Sequence, residues 1–372
     1  MRSINLRFLI IIFILFLSVA ISALLSNFIY LGEHIRSFLA YINPLLLFFT
    51  LMAVKKVEIE RIAKLVPIIL IFLVSLGITQ LSGLIAPLEP FFKFLIPRGS
   101  ADSLVEFGRG VTLLSTEPAR AGYELLFIYA GWRSLADNIK YPITMDFLFF
   151  LYVAVIIQSA TAVLLSLLYF GVIYVTRVWI YFLAIPIVLI TILYVDTRAT
   201  ILIRDLANLN DLKLIFDFLI DSSGFRLISI ISSYDYAISN LFGGGVGLWQ
   251  ETSIQAMYGA GFQPTNIDFF LLAYDSQFIS IRPSSFGANL ALDVGLFGFL
   301  LFLLLLATYF WSIFQESRIE FALGILFLFS FFFIGEVGNP VPWLSLALVL
   351  RLRCNRFSTF NSAMTFNPRA AL

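Results

Sequence analysis

FLIIIFILFLSVAISALLSNFI, from Phe8 to Ile29, runs without a single charged side chain. A bilayer core about 30 Å thick is crossed by about 20 apolar helical residues, so this run is long enough to span. A signal-peptide core is shorter, about 7 to 15 residues, and ends at a small-x-small cleavage site. No clear site of that kind follows here, and the run reads as a first membrane span. The whole chain carries the same signature: 60% of its residues are hydrophobic and 13% charged, against about 25% charged in soluble domains. The expected class is an all-α polytopic membrane protein.

Working outward, the excess of basic residues on cytoplasmic turns orients the spans. Arg2 and Arg7 lie inside. Ser37 to Val54 is a second span, the basic turn Lys55, Lys56, Arg61 and Lys64 lies inside, and Leu65 to about Leu88 crosses outward. A fourth span opens at Glu117-Pro118, where proline suits the first helical position, and ends at Trp132 before the inner Arg133 and Lys140. Met145 to Thr176 is too long for one crossing and splits at the polar Gln158-Ser159-Ala160-Thr161. Val178 to Val195, Leu290 to Trp311, Phe321 to Ile334 and a short span ending at Leu350 complete about ten crossings of one integral domain, 1–372. Residues 89–116 and 197–287 are then periplasmic loops, and the arginine-rich tail 351–372 is cytoplasmic.

Within the large loop, Ala199 to Ile220 carries apolar residues at helical spacing and reads as an interfacial helix. Ser222-Ser223-Gly224 caps a second helix with Arg226 in or near its first turn, and Phe242-Gly243-Gly244-Gly245-Val246-Gly247 ends it in a flexible turn. Every basic cluster obeys the orientation rule except the outer Arg98, Arg109, Arg120, Arg226 and Arg282. Anion binding is the simplest reason for them.

Three stretches suit chemistry. In Gly108 to Gly122, Glu117, Arg120 and Glu124 share a helix face, with an Arg120–Glu124 salt bridge as the plain alternative. Around Ser223, Arg226 and Gly244, a capped helix end offers backbone N–H groups and a guanidinium fork to a phosphate; the plain alternative is an ordinary loop helix. Arg282 precedes a span, where an arginine also suits a headgroup anchor. One cysteine, Cys354, excludes an internal disulfide, and one histidine, His34 in the first outer turn, excludes a His-rich metal site. Nothing concentrates basic charge on one face for nucleic acid.

Together, Arg109 with Glu117-Pro118, Arg226 with Gly243 to Gly247, and Val294-Gly295-Leu296-Phe297-Gly298 resemble, in this order, the O-antigen polymerase (Wzy) family, a relative of the O-antigen ligases. The ligases carry a histidine late in the large loop. This chain has Ile281-Arg282-Pro283-Ser284-Ser285 there, which favours a polymerase over a ligase-like transferase.

The resemblance implies a metal-independent glycosyltransferase without cofactor in a bacterial inner membrane, joining undecaprenyl-diphosphate-linked repeat units at the periplasmic face. Its implied partners are those lipid-linked glycans, membrane lipid and a chain-length regulator protein. The arginines suit the diphosphate leaving group, and Glu117, with Asp235 in reserve, suits the proton of the attacking hydroxyl. Two other classes compete: a lipid-oligosaccharide transporter, disfavoured by spans that read as nearly charge-free, and a non-catalytic partner of an export complex.

Overall fold

The computed structural model describes residues 6–26, 29–84, 105–106, 110–136, 139–176 and 225–353, with a few isolated positions between them. The expected span Val178 to Val195, most of the interfacial helix from Ala199 to Ile220, and the tail beyond Arg353 lie outside the described residues. The described part is helical, apart from a ribbon of two short strands, β1 (Val105–Glu106) and β2 (Gly110–Val111). Among the described residues, four helical stretches are long and apolar enough to cross a membrane: Leu6–Leu24, Leu31–Ala53, Lys56–Leu81 and Phe286–Ala307. The chain divides into two compact units.

The first unit gathers Met1–Thr50, Asp205–Thr308 and Phe327–Trp343. Its helices are α1 (Leu6–Leu25), α2 (Leu31–Ala53), α8 (Phe225–Ser239), α9 (Trp249–Gly259), the short α10 (Asp268–Ala273), most of α11 (Phe286–Phe314), and adjoining parts of α12 (Arg318–Phe333) and α13 (Val341–Arg353). Lipid gives helices no hydrophobic drive to associate, so side-chain packing must hold them. Trp343 supplies it here, with its ring 5.0 Å from Phe327, 5.3 Å from Phe286 and 5.7 Å from Phe48. The part outside the spans has its own core of Ile228, Met257, Ile267, Phe270, Phe278 and Ile281.

The second unit gathers Leu51–Arg204, Tyr309–Leu326 and Leu344–Leu372. It holds α3 (Lys56–Ala63), α4 (Val66–Leu81), α5 (Pro118–Leu135), α6 (Pro142–Tyr152) and α7 (Ala160–Tyr174). The basic stretch expected as a turn is α3, closed by an Arg61–Glu58 pair. The split between α6 and α7 falls where the polar residues stand: α6 runs on through a π turn, Val153–Ile157, to a left-handed Gln158, and Ser159 Oγ accepts from Ala162 N to cap α7. Tyr129 of α5 stacks on Phe149 of α6, and Gly122 lets α5 close onto Ala162, which a β-carbon would overlap. The Gln80 side chain clasps the ribbon, donating to Leu113 O and accepting from Leu113 N, both at 2.9 Å.

The glycine-rich turn departs most from expectation. In place of a flexible loop end it is a packed crossing among α1, α2 and α11. Gly244 N donates to Leu292 O and Gly245 N to Asp293 O, both at 2.9 Å, and Val246 N donates to Ser18 Oγ. Leu292 and Asp293 stand about 9 to 10 Å along α11 from Phe286. Here α11 breaks at Gly295, φ 69° and ψ −175°, and Phe297 N turns to Leu241 O at the end of α8. Irregular backbone at membrane depth must find its partners inside the protein, and this turn and this break satisfy each other. Gly245 and Gly247 have no side chain because Ser22 and His34 occupy the space a β-carbon would need. His34 therefore belongs to α2 and not to an outer turn: it is buried, Nδ1–H donates to Val246 O at 2.6 Å, and Nε2 pairs with Ser26 Oγ.

Candidate functional site

The polar groups that converge in the first unit gather at the head of α11. Ser285 caps this helix, its Oγ accepting from Ala288 N at 3.0 Å. Just before the cap, the chain is pinned to α9, where Ile281 N donates to Ser253 Oγ and Ser280 Oγ donates to Gln250 O. Arg282 follows this anchored pair and turns toward the helix. Its Nε donates to Asn289 Oδ1 at 3.1 Å, and the Asn289 amide nitrogen donates to Ser285 O and Pro283 O. Asn289 thus holds the guanidinium and the cap together.

One turn further on, Asp293 is 1% exposed. Its Oδ2 accepts from Tyr41 OH of α2 at 2.7 Å, and Tyr41 packs edge-on against Phe286. Two atoms of this cluster are buried without a hydrogen-bond partner among the described residues: Arg282 Nη2 and Asp293 Oδ1. At the edge of the unit, Tyr30 OH donates to Glu251 Oε1 at 2.9 Å, tying the α1–α2 turn to α9; the carboxylate raises the Tyr30 hydroxyl above its ordinary pKa.

The other expected site residues are distributed differently. Arg226 stands in the first turn of α8, as expected, while its capping neighbour Ser223 lies outside the described residues. Asp235 is exposed on α8. Gly244 commits its N–H to Leu292 O, so this donor is not offered to a phosphate. Glu117, Arg120 and Glu124 belong to the second unit. There Arg120 Nε pairs with Glu124 Oε1 at 3.0 Å and Ser115 Oγ donates to Glu124 Oε2 at 2.7 Å, the local salt bridge weighed against a binding role. Glu117 takes the N-cap position of α5 with extended backbone, but its side chain makes no capping hydrogen bond. Arg109 lies outside the described residues.

Asp293, Tyr41 and Asn289 were missed in the sequence, although Asp293 is the acid inside an otherwise uncharged span. Asn289 and Asp293 are four residues apart and share a face of α11, and an intramembrane carboxylate is a functional candidate by default.

No family model, curated protein or solved structure matches the chain. The likeness to O-antigen polymerases therefore rests on the three motifs quoted above.

Proposed function

We propose that the protein is a glycosyltransferase that joins polyprenyl-diphosphate-linked oligosaccharide repeat units into a surface polysaccharide at the outer face of a bacterial inner membrane. The observation that supports this reading is the half-satisfied cluster of Arg282, Asn289, Asp293 and Tyr41 at the head of a membrane span. A substrate with a lipid tail and a diphosphate head presents its reacting bond at the membrane boundary. Breaking that bond needs cations for the leaving diphosphate and a carboxylate for the hydroxyl proton, and fixed charges act strongly where water is scarce. Arg226 at the start of α8 is the diphosphate fork in this reading.

The test is reconstitution. Purified protein in liposomes with lipid-linked repeat units should yield a ladder of longer glycans, and Arg226→Ala should abolish the ladder without abolishing folding. Absence of a ladder from folded wild-type protein rejects the proposal.

A second reading has a specific observation in its favour. Asp293 is buried inside a span, and Asp146 is buried with Arg133 in the helices of the second unit, so the helices are less free of charge than the sequence suggested. Intramembrane charges of this kind also mark transporters. Protein-dependent movement of lipid-linked oligosaccharide across the liposome membrane, without a ladder, decides for that reading.

A further inference from the structure

We propose that Asp293 and Arg282 together seat the attacking hydroxyl group, and that Asp293 is the residue that takes its proton. This rests on the glycosyl-transfer reading and names the acid-base residue within it. Three observations carry it. First, Asp293 Oδ1 is buried and has no partner among the described residues, while Oδ2 is held by Tyr41 OH. Second, Arg282 Nη2 is likewise buried and unpartnered, while Nε is fixed on Asn289. Third, the backbone at Asp293 is locked, because its carbonyl oxygen accepts from Gly245 N beside the Gly295 break. One buried acceptor and one buried donor, anchored one helical turn apart on α11 at Asp293 and at Asn289, are left in a rigid setting, and buried polar groups do not stay unmatched without reason.

The chemistry of this pair selects its ligand. A phosphate oxygen suits Arg282 and is repelled by the carboxylate. A metal cation suits Asp293 and is repelled by the guanidinium. A hydroxyl satisfies both, because its oxygen accepts from Nη2 while its hydrogen is donated to Oδ1. In the reaction, the hydroxyl oxygen bonds to the anomeric carbon of the donor glycan as its proton moves to Asp293. The bond from that carbon to the diphosphate oxygen breaks, its electron pair leaves on the diphosphate, and the proton later passes from Asp293 to the released diphosphate. Tyr41 is a positioning residue. It touches no substrate and keeps Oδ2 engaged, so that Oδ1 faces the hydroxyl.

The experiment compares wild type, Asp293→Asn and Tyr41→Phe in the reconstituted ladder assay, with lipid-substrate affinity and melting temperature measured on the same preparations. Loss of a general base lowers turnover by about a hundredfold to ten-thousandfold, so Asp293→Asn should show that fall in kcat with the affinity for lipid-linked donor unchanged. Tyr41→Phe should lower kcat by about tenfold, one step of the free-energy scale, again at unchanged affinity. If Asp293→Asn does not fold, Tyr41→Phe decides alone: unchanged kcat overturns the assignment. Full turnover per folded Asp293→Asn molecule also overturns it, and a shifted melting temperature beside that full turnover means that the pair holds only a structural water. Folded wild type that makes no ladder overturns the glycosyl-transfer reading itself, a result distinct from either.

Discussion

Among the described residues, Asp293 of the first unit and Asp146 of the second are the most deeply buried carboxylates, and the two are solved differently. In the second unit, Asp146 of α6 accepts from Tyr129 OH, from Tyr174 OH and from Arg133 Nε, so both of its oxygens are engaged and a cation stands beside it. In the first unit, Asp293 has a tyrosine on one oxygen and no partner on the other, and the nearby Arg282 has an N–H to spare. A buried charge that is fully paired ties helices together and has no capacity left for a ligand. A buried charge left half-paired carries a desolvation cost that only a ligand or a water relieves. Burial alone does not mark a site; what sets Asp293 apart is an unmatched carboxylate oxygen in the same cluster as an unmatched guanidinium N–H.

The comparison is most exposed to attack at Asp146. Replacing it by Ala strands Arg133 and two tyrosine hydroxyls, and breaking a buried pair costs about 3 to 5 kcal/mol. A large fall in melting temperature should result, with activity per folded molecule retained. Loss of turnover from a normally folded Asp146→Ala protein would erase the distinction between the two carboxylates.

Next in size is Arg226. If it grips a diphosphate through two N–H groups, Arg226→Lys should fail nearly as badly as Arg226→Ala, because an ammonium keeps the charge and loses the fork. The loss should be about 2 to 4 kcal/mol of transition-state stabilisation, a thirtyfold to thousandfold drop in kcat/KM. Wild-type kinetics for Arg226→Lys removes the diphosphate role.

Gly295→Ala tests whether the break in α11 positions Asp293. The backbone there is in a region reserved for glycine, and a β-carbon would collide with Gly243 N, Asn240 O and Leu241 C. A cost of about 1 to 3 kcal/mol is expected, and turnover should fall with stability since the carboxylate moves with the break. Unaltered melting and activity would show that the crossing yields easily.

The smallest effect is expected at Glu117. With Asp293 taking the proton, Glu117→Gln should keep turnover within about threefold, under 1 kcal/mol. A collapse of kcat in this variant at unchanged lipid binding returns the proton to the second unit and sinks the Asp293 assignment.

These contrasts follow what local sequence carries. The split at Gln158 and Ser159 and the start of α5 at Pro118 were legible because the signals lie at the position they govern: a polar break in an apolar run, and a proline whose missing N–H suits a helix start. Arg226 at the head of α8 was legible for the same reason. The partners of the glycine turn were not, because Gly244 and Gly245 bond to backbone carbonyls of α11, and a carbonyl is the same in every residue. Asp293 was visible as a lone acid in a span, but its meaning depends on Tyr41, 252 positions away in sequence. His34, read as an outer-turn residue, gained its role only from Val246, 212 positions away.

That last separation has a consequence for how the protein is made. Helices α1 and α2 enter the membrane early, carrying Ser18, Ser22 and the His34 imidazole with no turn yet to receive them. At about 5 to 20 residues per second of synthesis, the residues up to Val246 emerge about 10 to 40 s later. Throughout that interval the amino-terminal hairpin is an unfinished lock whose key is still on the ribosome. A nascent chain stalled before Val246 should therefore be the species most readily taken by membrane quality control, and resistance should appear only once α11, whose Leu292 and Asp293 carbonyls hold the turn, has also been made.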